Sequence, residues 1–136
     1  RNIEITTTLE PPRVDYARFL EIVLETEDQK VRVAGALLGE QHHPRIVQID
    51  EYALMVQPEG CLIVLRNNDV PGVIGRVGTL LAAHGLNIAE YIQSREAKGG
   101  LALAAVSVDG KVSPEFLTTL TEDEDVLDAR AVYFDG

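Results

Sequence analysis

The feature that most constrains this chain is the order in which its apolar period changes after Gly60. Leu62-Ile63-Val64-Leu65 is a short, wholly apolar run of the kind a buried strand carries. Pro71 then stands where a first helical position is expected, suited by its fixed φ and missing N–H. Val73, Ile74, Val77, Leu80, Leu81 and His84 follow at three- and four-residue steps, the stripe of an amphipathic helix, and Gly85 predicts its C-terminal stop. Ile88 to Arg95 and Leu101 to Val108 read as strands across a Lys98-Gly99-Gly100 turn. Ser113-Pro114-Glu115 starts a second helix with a capping serine, Phe116, Leu117 and Leu120 are its apolar contacts, and Val126 to Phe134 is a last strand.

That order, β-α-β-β-α-β, is the split βαβ arrangement of ferredoxin-like folds and predicts an α+β domain over 60–136. Gln57-Pro58-Glu59-Gly60 separates it from a block at 1–59 that reads as mainly β. There Phe19 to Thr26 and Val31 to Leu38 flank a polar Glu27-Asp28-Gln29-Lys30 turn, and Arg45 to Asp50 and Tyr52 to Val56 turn tightly at Asp50-Glu51. Pro11-Pro12 predicts a loop. The chain opens at Arg1, in strand-like material (Asn2 to Thr7), as expected of a segment of something longer.

Composition removes several functions. Twelve basic against twenty-two acidic residues give a net charge of −10, the wrong sign for phosphate backbones or anionic membranes. The charge is even, with six basic and eleven acidic residues on each side of the Gly60-Cys61 bond, so it marks no binding face. The single cysteine, Cys61, provides neither an internal disulfide nor a metal cluster, and reads as a buried strand residue. No apolar run nears membrane-spanning length and no leader opens the chain, which predicts a cytoplasmic setting. No G-x-S-x-G, Walker loop or H-E-x-x-H occurs. His42-His43 beside Pro44 reads as an exposed turn, His84 as a packed or capping histidine, and Glu122-Asp123-Glu124-Asp125 as a solvated loop.

The stretch with chemistry runs from Arg66 to Asn87. Asn67-Asn68-Asp69 are expected between the first strand and the helix. Gly72, Gly75 and Gly78 recur inside the expected helix at a cost of about 1 kcal/mol each against Ala, which calls for close approach of a backbone or a ligand. Free N–H groups at a helix start suit a carboxylate, Asp69 suits an ammonium, and the amides of Asn67 and Asn87 suit either. Together they describe a site for a free α-amino acid. Equally, Asp69 can shape the turn and Asn87 can take a left-handed position after Gly85.

Leu65-Arg66-Asn67-Asn68-Asp69-Val70-Pro71-Gly72-Val73-Ile74-Gly75-Arg76-Val77-Gly78, followed by His84-Gly85-Leu86-Asn87-Ile88, resembles the ACT regulatory domain. Pro44-Arg45-Ile46-Val47-Gln48-Ile49-Asp50 is similar to the end of the intervening domain that precedes it in long-form D-3-phosphoglycerate dehydrogenases. The resemblance implies an ACT domain over 60–136 and a truncated intervening domain over 1–59. It also implies pairing of ACT domains across a two-fold axis, with L-serine or a similar amino acid bound in the interface for feedback control. The effector positions carried over are Asn67, Asp69 and Asn87, with the N–H groups near Gly72 and Val73 on the carboxylate and Asn87 coming from the partner subunit. Arg45 matches a candidate anion site of the intervening domain, where Gln57 replaces an expected basic partner. The resemblance places NAD and the catalytic residues of such an enzyme outside this segment, so no cofactor is expected in it; its residues predict no metal site and its charge no nucleic-acid or membrane partner. The regulatory part of an L-serine dehydratase, or a purely structural dimerisation domain, is the alternative.

Overall fold

A computed structural model of the chain describes residues 4–10, 18–25, 30–41, 43–95 and 99–134, with side chains from residue 32 onward. Asn2-Ile3, Pro11-Pro12, Thr26, Glu27-Asp28-Gln29, His42 and Lys98 lie outside the described residues, with the expectations placed on them. The chain divides into two units, Arg1–Pro58 and Glu59–Gly136.

The first unit is an antiparallel meander. Strands β1 (Glu4–Glu10), β2 (Arg18–Glu25), β3 (Lys30–Leu38), β4 (His43–Ile49) and β5 (Tyr52–Val56) pair in chain order as one five-stranded sheet. The expected hairpins are β2–β3 and β4–β5. Alternation in β5 puts Tyr52, Leu54 and Val56 inside and Ala53 and Met55 outside. Its turn works because Asp50 tolerates a left-handed φ of 52°, donates its N–H to the Arg32 carbonyl at 2.7 Å and accepts the Arg32 N–H at 3.1 Å.

The second unit has the expected βαββαβ order: β6 (Gly60–Asn68), α1 (Val73–Ala83), β7 (Asn87–Arg95), β8 (Leu101–Asp109), α2 (Pro114–Thr121) and β9 (Val126–Phe134). Its antiparallel sheet runs β7-β8-β6-β9, with the apolar strand β6 paired on both sides. One face of that sheet packs against both helices. Cys61, Ile63 and Leu65 of β6 and Ala104, Val106 and Val108 of β8 meet Val73, Val77 and Leu81 of α1 and Phe116 and Leu120 of α2.

The helix ends show how local sequence sets this frame. Ser113 Oγ accepts the Phe116 N–H at 3.1 Å with Pro114 in the first turn, as expected. At the end of α1 the N–H of Gly85, at φ 72°, bonds the Ala82 carbonyl at 3.0 Å, and that of Leu86 bonds Leu81 at 2.9 Å. This is a Schellman stop, and Leu86 joins the core containing Leu81. His84 caps the helix with its ring 4.4 Å from that of Phe116 and Nδ1 3.0 Å from the Leu80 carbonyl oxygen.

The start of α1 differs from expectation. Pro71 belongs to the preceding turn and the helix begins at Val73, because Gly72 sits at φ 95°, which breaks the helical path and which only glycine adopts cheaply. The stripe is narrower too: Val73, Val77 and Leu81, four residues apart, are buried, while Ile74 is 53% exposed. A Cβ added at Gly75 or Gly78 would meet nothing within 4 Å, so no described backbone of this unit approaches the helix there.

Candidate functional site

The helix-bearing face of the sheet becomes polar at one end. Asn67 and Asn68, expected in the connection, instead extend β6: Asn67 pairs with Ala102 and Val126, and Asn68 with Leu101. Ladder bonds on both sides outweigh the turn preference of asparagine. Asn67 is directly opposite Ala102, Gln93 opposite Ala104 and Tyr91 opposite Val106. Directly paired residues share a face, and Ala104 and Val106 lie in the core under the helices. Asn67, Tyr91, Gln93 and Arg95 therefore all belong to the helix side, at the end of the sheet where the chain turns into α1.

Asp69 closes this group. Its N–H donates to the Gly100 carbonyl at 2.8 Å, which ties the turn to the start of β8. Arg95 Nη1 donates to its Oδ2 at 3.0 Å; Gln93 Nε2 to Oδ1 and the Gly99 N–H to Oδ2 are longer, at 3.4 Å each. The Asp69 side chain is 14% exposed and that of Arg95 54%. Thus the carboxylate expected to meet a ligand's ammonium already faces a cation of its own chain. Asn67, fully buried, donates Nδ2 to the Asn68 carbonyl at 2.9 Å. Its Oδ1, Gln93 Oε1 and the Tyr91 hydroxyl are buried with no hydrogen-bond partner among the described residues. Three such atoms on one polar patch are unusual, since a buried unpaired group costs about 1–3 kcal/mol.

The acidic run beside this end is no bare solvated loop. Arg76 Nε and Nη2 clasp Asp123, Nη2 also reaches Asp125 at 2.8 Å, and Asn68 Nδ2 donates to Asp125 Oδ1 at 3.1 Å. The clamp ties α1 to β6 and to the connection after α2. It also holds Arg76 over the turn, with Nη1 2.8 Å from where a Gly72 Cβ would sit. Gly72 supplies no side-chain cap to α1, so the N-terminal N–H groups beside the buried Val73 are left to another acceptor.

The positions expected from sequence do not all meet. Asn67, Asp69, Gly72 and Val73 share this end of the unit. Asn87 begins β7 opposite Asp109, eight residues from Arg95, about 26 Å away along an extended strand. Its Nδ2 donates to Asp109 Oδ2 at 3.1 Å, and its φ is not left-handed, which corrects the alternative role considered for it. Arg45, in β4 of the first unit, donates Nη1 to the Pro44 carbonyl at 2.7 Å. Cys61 is buried in β6, as expected. Among the described residues no His, Cys, Asp or Glu cluster fits a metal, and no helix is long and apolar enough to cross a membrane.

A model of the ACT domain matches residues 62–129, half of the chain. The chain belongs to the ACT domain family. The ACT domain accounts for the βαββαβ unit, and relatives extend the likeness beyond it. A D-3-phosphoglycerate dehydrogenase of Archaeoglobus fulgidus is 35% identical over 96% of this chain. Proteins of the same name from Synechocystis and Methanocaldococcus jannaschii are each 29% identical, over 97% and 86% of it. This chain spans 25%, 24% and 22% of those three relatives, about a quarter of their length. At 96% and 97% coverage the matches include the unit before the ACT domain.

The ion pairs give the ACT domain a defined acid response. Hydrogen bonding and charge from Arg95, then the Gly99 N–H and Gln93, hold the Asp69 carboxyl below the usual range. The Arg76 hydrogen bond and the Asp125 N–H do the same for Asp123. A carboxyl depressed in the folded state binds protons more readily unfolded, so its stabilisation is present above the unfolded value of about 3.9 and disappears as pH falls through the lower folded value. Because both arginines are about half exposed, thermal melts from about pH 6 to pH 3 are expected to show only a modest loss from these pairs, beginning below about pH 4. Asp123→Asn is expected to flatten that fall.

Proposed function

We propose that this chain is the regulatory portion of a D-3-phosphoglycerate dehydrogenase and binds L-serine, or a similar small amino acid, where two ACT domains meet. The observation that carries this reading is the junction of Asp69, Gln93 and Arg95 at the end of the unit where α1 starts without a side-chain cap, on the sheet face that also carries Asn67 and Tyr91. A free amino acid offers an ammonium for Asp69 and a carboxylate for the N–H groups near Gly72 and Val73. The shared name of the relatives, and the reach of the match into the first unit, support the host enzyme. In that reading NAD and the dehydrogenase chemistry belong to the rest of the enzyme, and this chain supplies feedback control.

The sheet edge supports a site shared between copies. Strand β7 pairs only with β8 among the described strands, which leaves its other edge for a partner. Two copies joined there about a two-fold axis run antiparallel. With the nine-residue strands fully overlapped, position 87 of one copy faces position 95 of the other. The start of β7 in the partner subunit then lies at the same end of the joined sheet as Arg95, which shortens the distance separating them along one chain, while Asn87, next to the core-facing Ile88, is on the opposite face. An effector bound across such an interface regulates by binding one quaternary arrangement more tightly than another.

Calorimetric titration with L-serine tests the proposal. A saturable heat is expected, with affinity rising with protein concentration because the site needs two copies. A folded protein that gives no heat with serine, glycine or alanine would remove the reading.

A further inference from the structure

We infer that Arg95 selects the ligand's carboxylate, so that the Asp69–Arg95 pair is a receptor for both charges of a zwitterionic amino acid. The inference rests on the amino-acid site proposed above and assigns its specificity to a side chain that none of the expected effector positions includes. Arg95 is half exposed and makes one hydrogen bond among the described residues, from Nη1 to Asp69 Oδ2. A guanidinium carries five N–H donors in a planar fork matched to a carboxylate, and among the described residues Asp69 takes up one of them. Asp69 in turn leaves Oδ1 with only the long Gln93 contact at 3.4 Å.

The free positions are arranged to suit a zwitterion. The α-ammonium of an amino acid lies beside its carboxylate, as Asp69 lies beside Arg95, but with the charges in the opposite order. Laid antiparallel along the pair, the ligand sets its ammonium against Asp69 and its carboxylate against Arg95, and the existing ion pair need not open. An ammonium has three donors, and Asp69 Oδ1 keeps acceptor capacity beyond its long contact with Gln93 Nε2. The α1 amides contribute only a partial positive charge, whereas Arg95 brings a full one. An amine without a carboxylate leaves Arg95 unused, and an acid without an amine sets its charge against a pair that is already neutral.

Calorimetry on the wild-type protein, Arg95→Gln and Arg95→Lys tests this with three probes: L-serine, ethanolamine, which lacks the carboxylate, and D-glycerate, which lacks the amine. The wild type is expected to take serine and reject both others. Arg95→Gln is expected to weaken serine about 10- to 100-fold, the scale of one hydrogen bond to a charged group, and to bring serine down to the level of ethanolamine. Arg95→Lys, which keeps the charge and loses the fork, falls between them and guards against misfolding of the glutamine variant. Serine affinity unchanged in Arg95→Gln would overturn the inference while leaving the amino-acid site standing, and so would tighter binding, which would make Arg95 a competitor for Asp69. Absence of amino-acid binding in the wild type would overturn both.

Discussion

Asp69→Ala is expected to remove amino-acid binding and leave the ACT domain folded. The carboxylate is the one full negative charge in the group formed with Gln93 and Arg95, and it is 14% exposed, so bulk water screens it weakly. Its loss takes away the acceptor for an ammonium and leaves the Arg95 guanidinium with no counter-charge. Hydrogen bonds to charged groups contribute about 1.5–3 kcal/mol each, so the combined loss is at least about a hundredfold in affinity. Folding is expected to survive because Arg95 is 54% exposed, and an ion pair with an exposed partner contributes little to stability. Calorimetry with serine, beside a thermal melt of the same sample, separates the two effects. Serine affinity within threefold of wild type would exclude Asp69 from the site.

The largest stability effect is expected at Leu81. This side chain is fully buried between α1 and the sheet, and its carbonyl accepts the Leu86 N–H of the helix stop. Leu81→Ala leaves a cavity where helix, strand and stop meet, a change that costs about 2–5 kcal/mol. Against a typical total of about 5–15 kcal/mol, that removes a large share of the stability. Ile74→Ala, at the second residue of α1 and 53% exposed, is expected to stay within about 0.5 kcal/mol. Urea denaturation of both variants checks the contrast. Equal losses would mean that the narrow Val73, Val77, Leu81 line is not what seats α1.

The fold was legible because its signals are local. Ser113-Pro114 announces a helix start, Gly85 announces a stop, and Leu62 to Leu65, a short apolar run between turn signals, fits a buried strand. The start of α1 is less legible because Pro71 suits both a first helical turn and a tight turn, and the left-handed φ of Gly72 decides between them. Asn67 and Asn68 were misplaced for a related reason. Their turn preference is visible in sequence, while the pairing on both sides that overrides it is not.

The site was half legible. Asp69 and the helix start are adjacent in sequence and stand out together. Gln93 and Arg95 lie more than twenty residues further on and reach Asp69 only because β8 pairs with both β6 and β7 and sets their ends at one end of the sheet. One signal for them existed: Tyr91, Gln93 and Arg95 alternate along a strand, so three polar side chains share a face that should be apolar. Asp123 and Asp125 gave no such signal, because an acidic run looks the same whether it is solvated or clasped by Arg76.

The central claim is that this ACT domain holds a free amino acid between two copies. The most direct measurement is calorimetric titration of the folded protein with L-serine at several protein concentrations. The account predicts saturable heat and an affinity that strengthens as the protein is concentrated. A folded protein with no heat for serine, glycine or alanine at any concentration would contradict it.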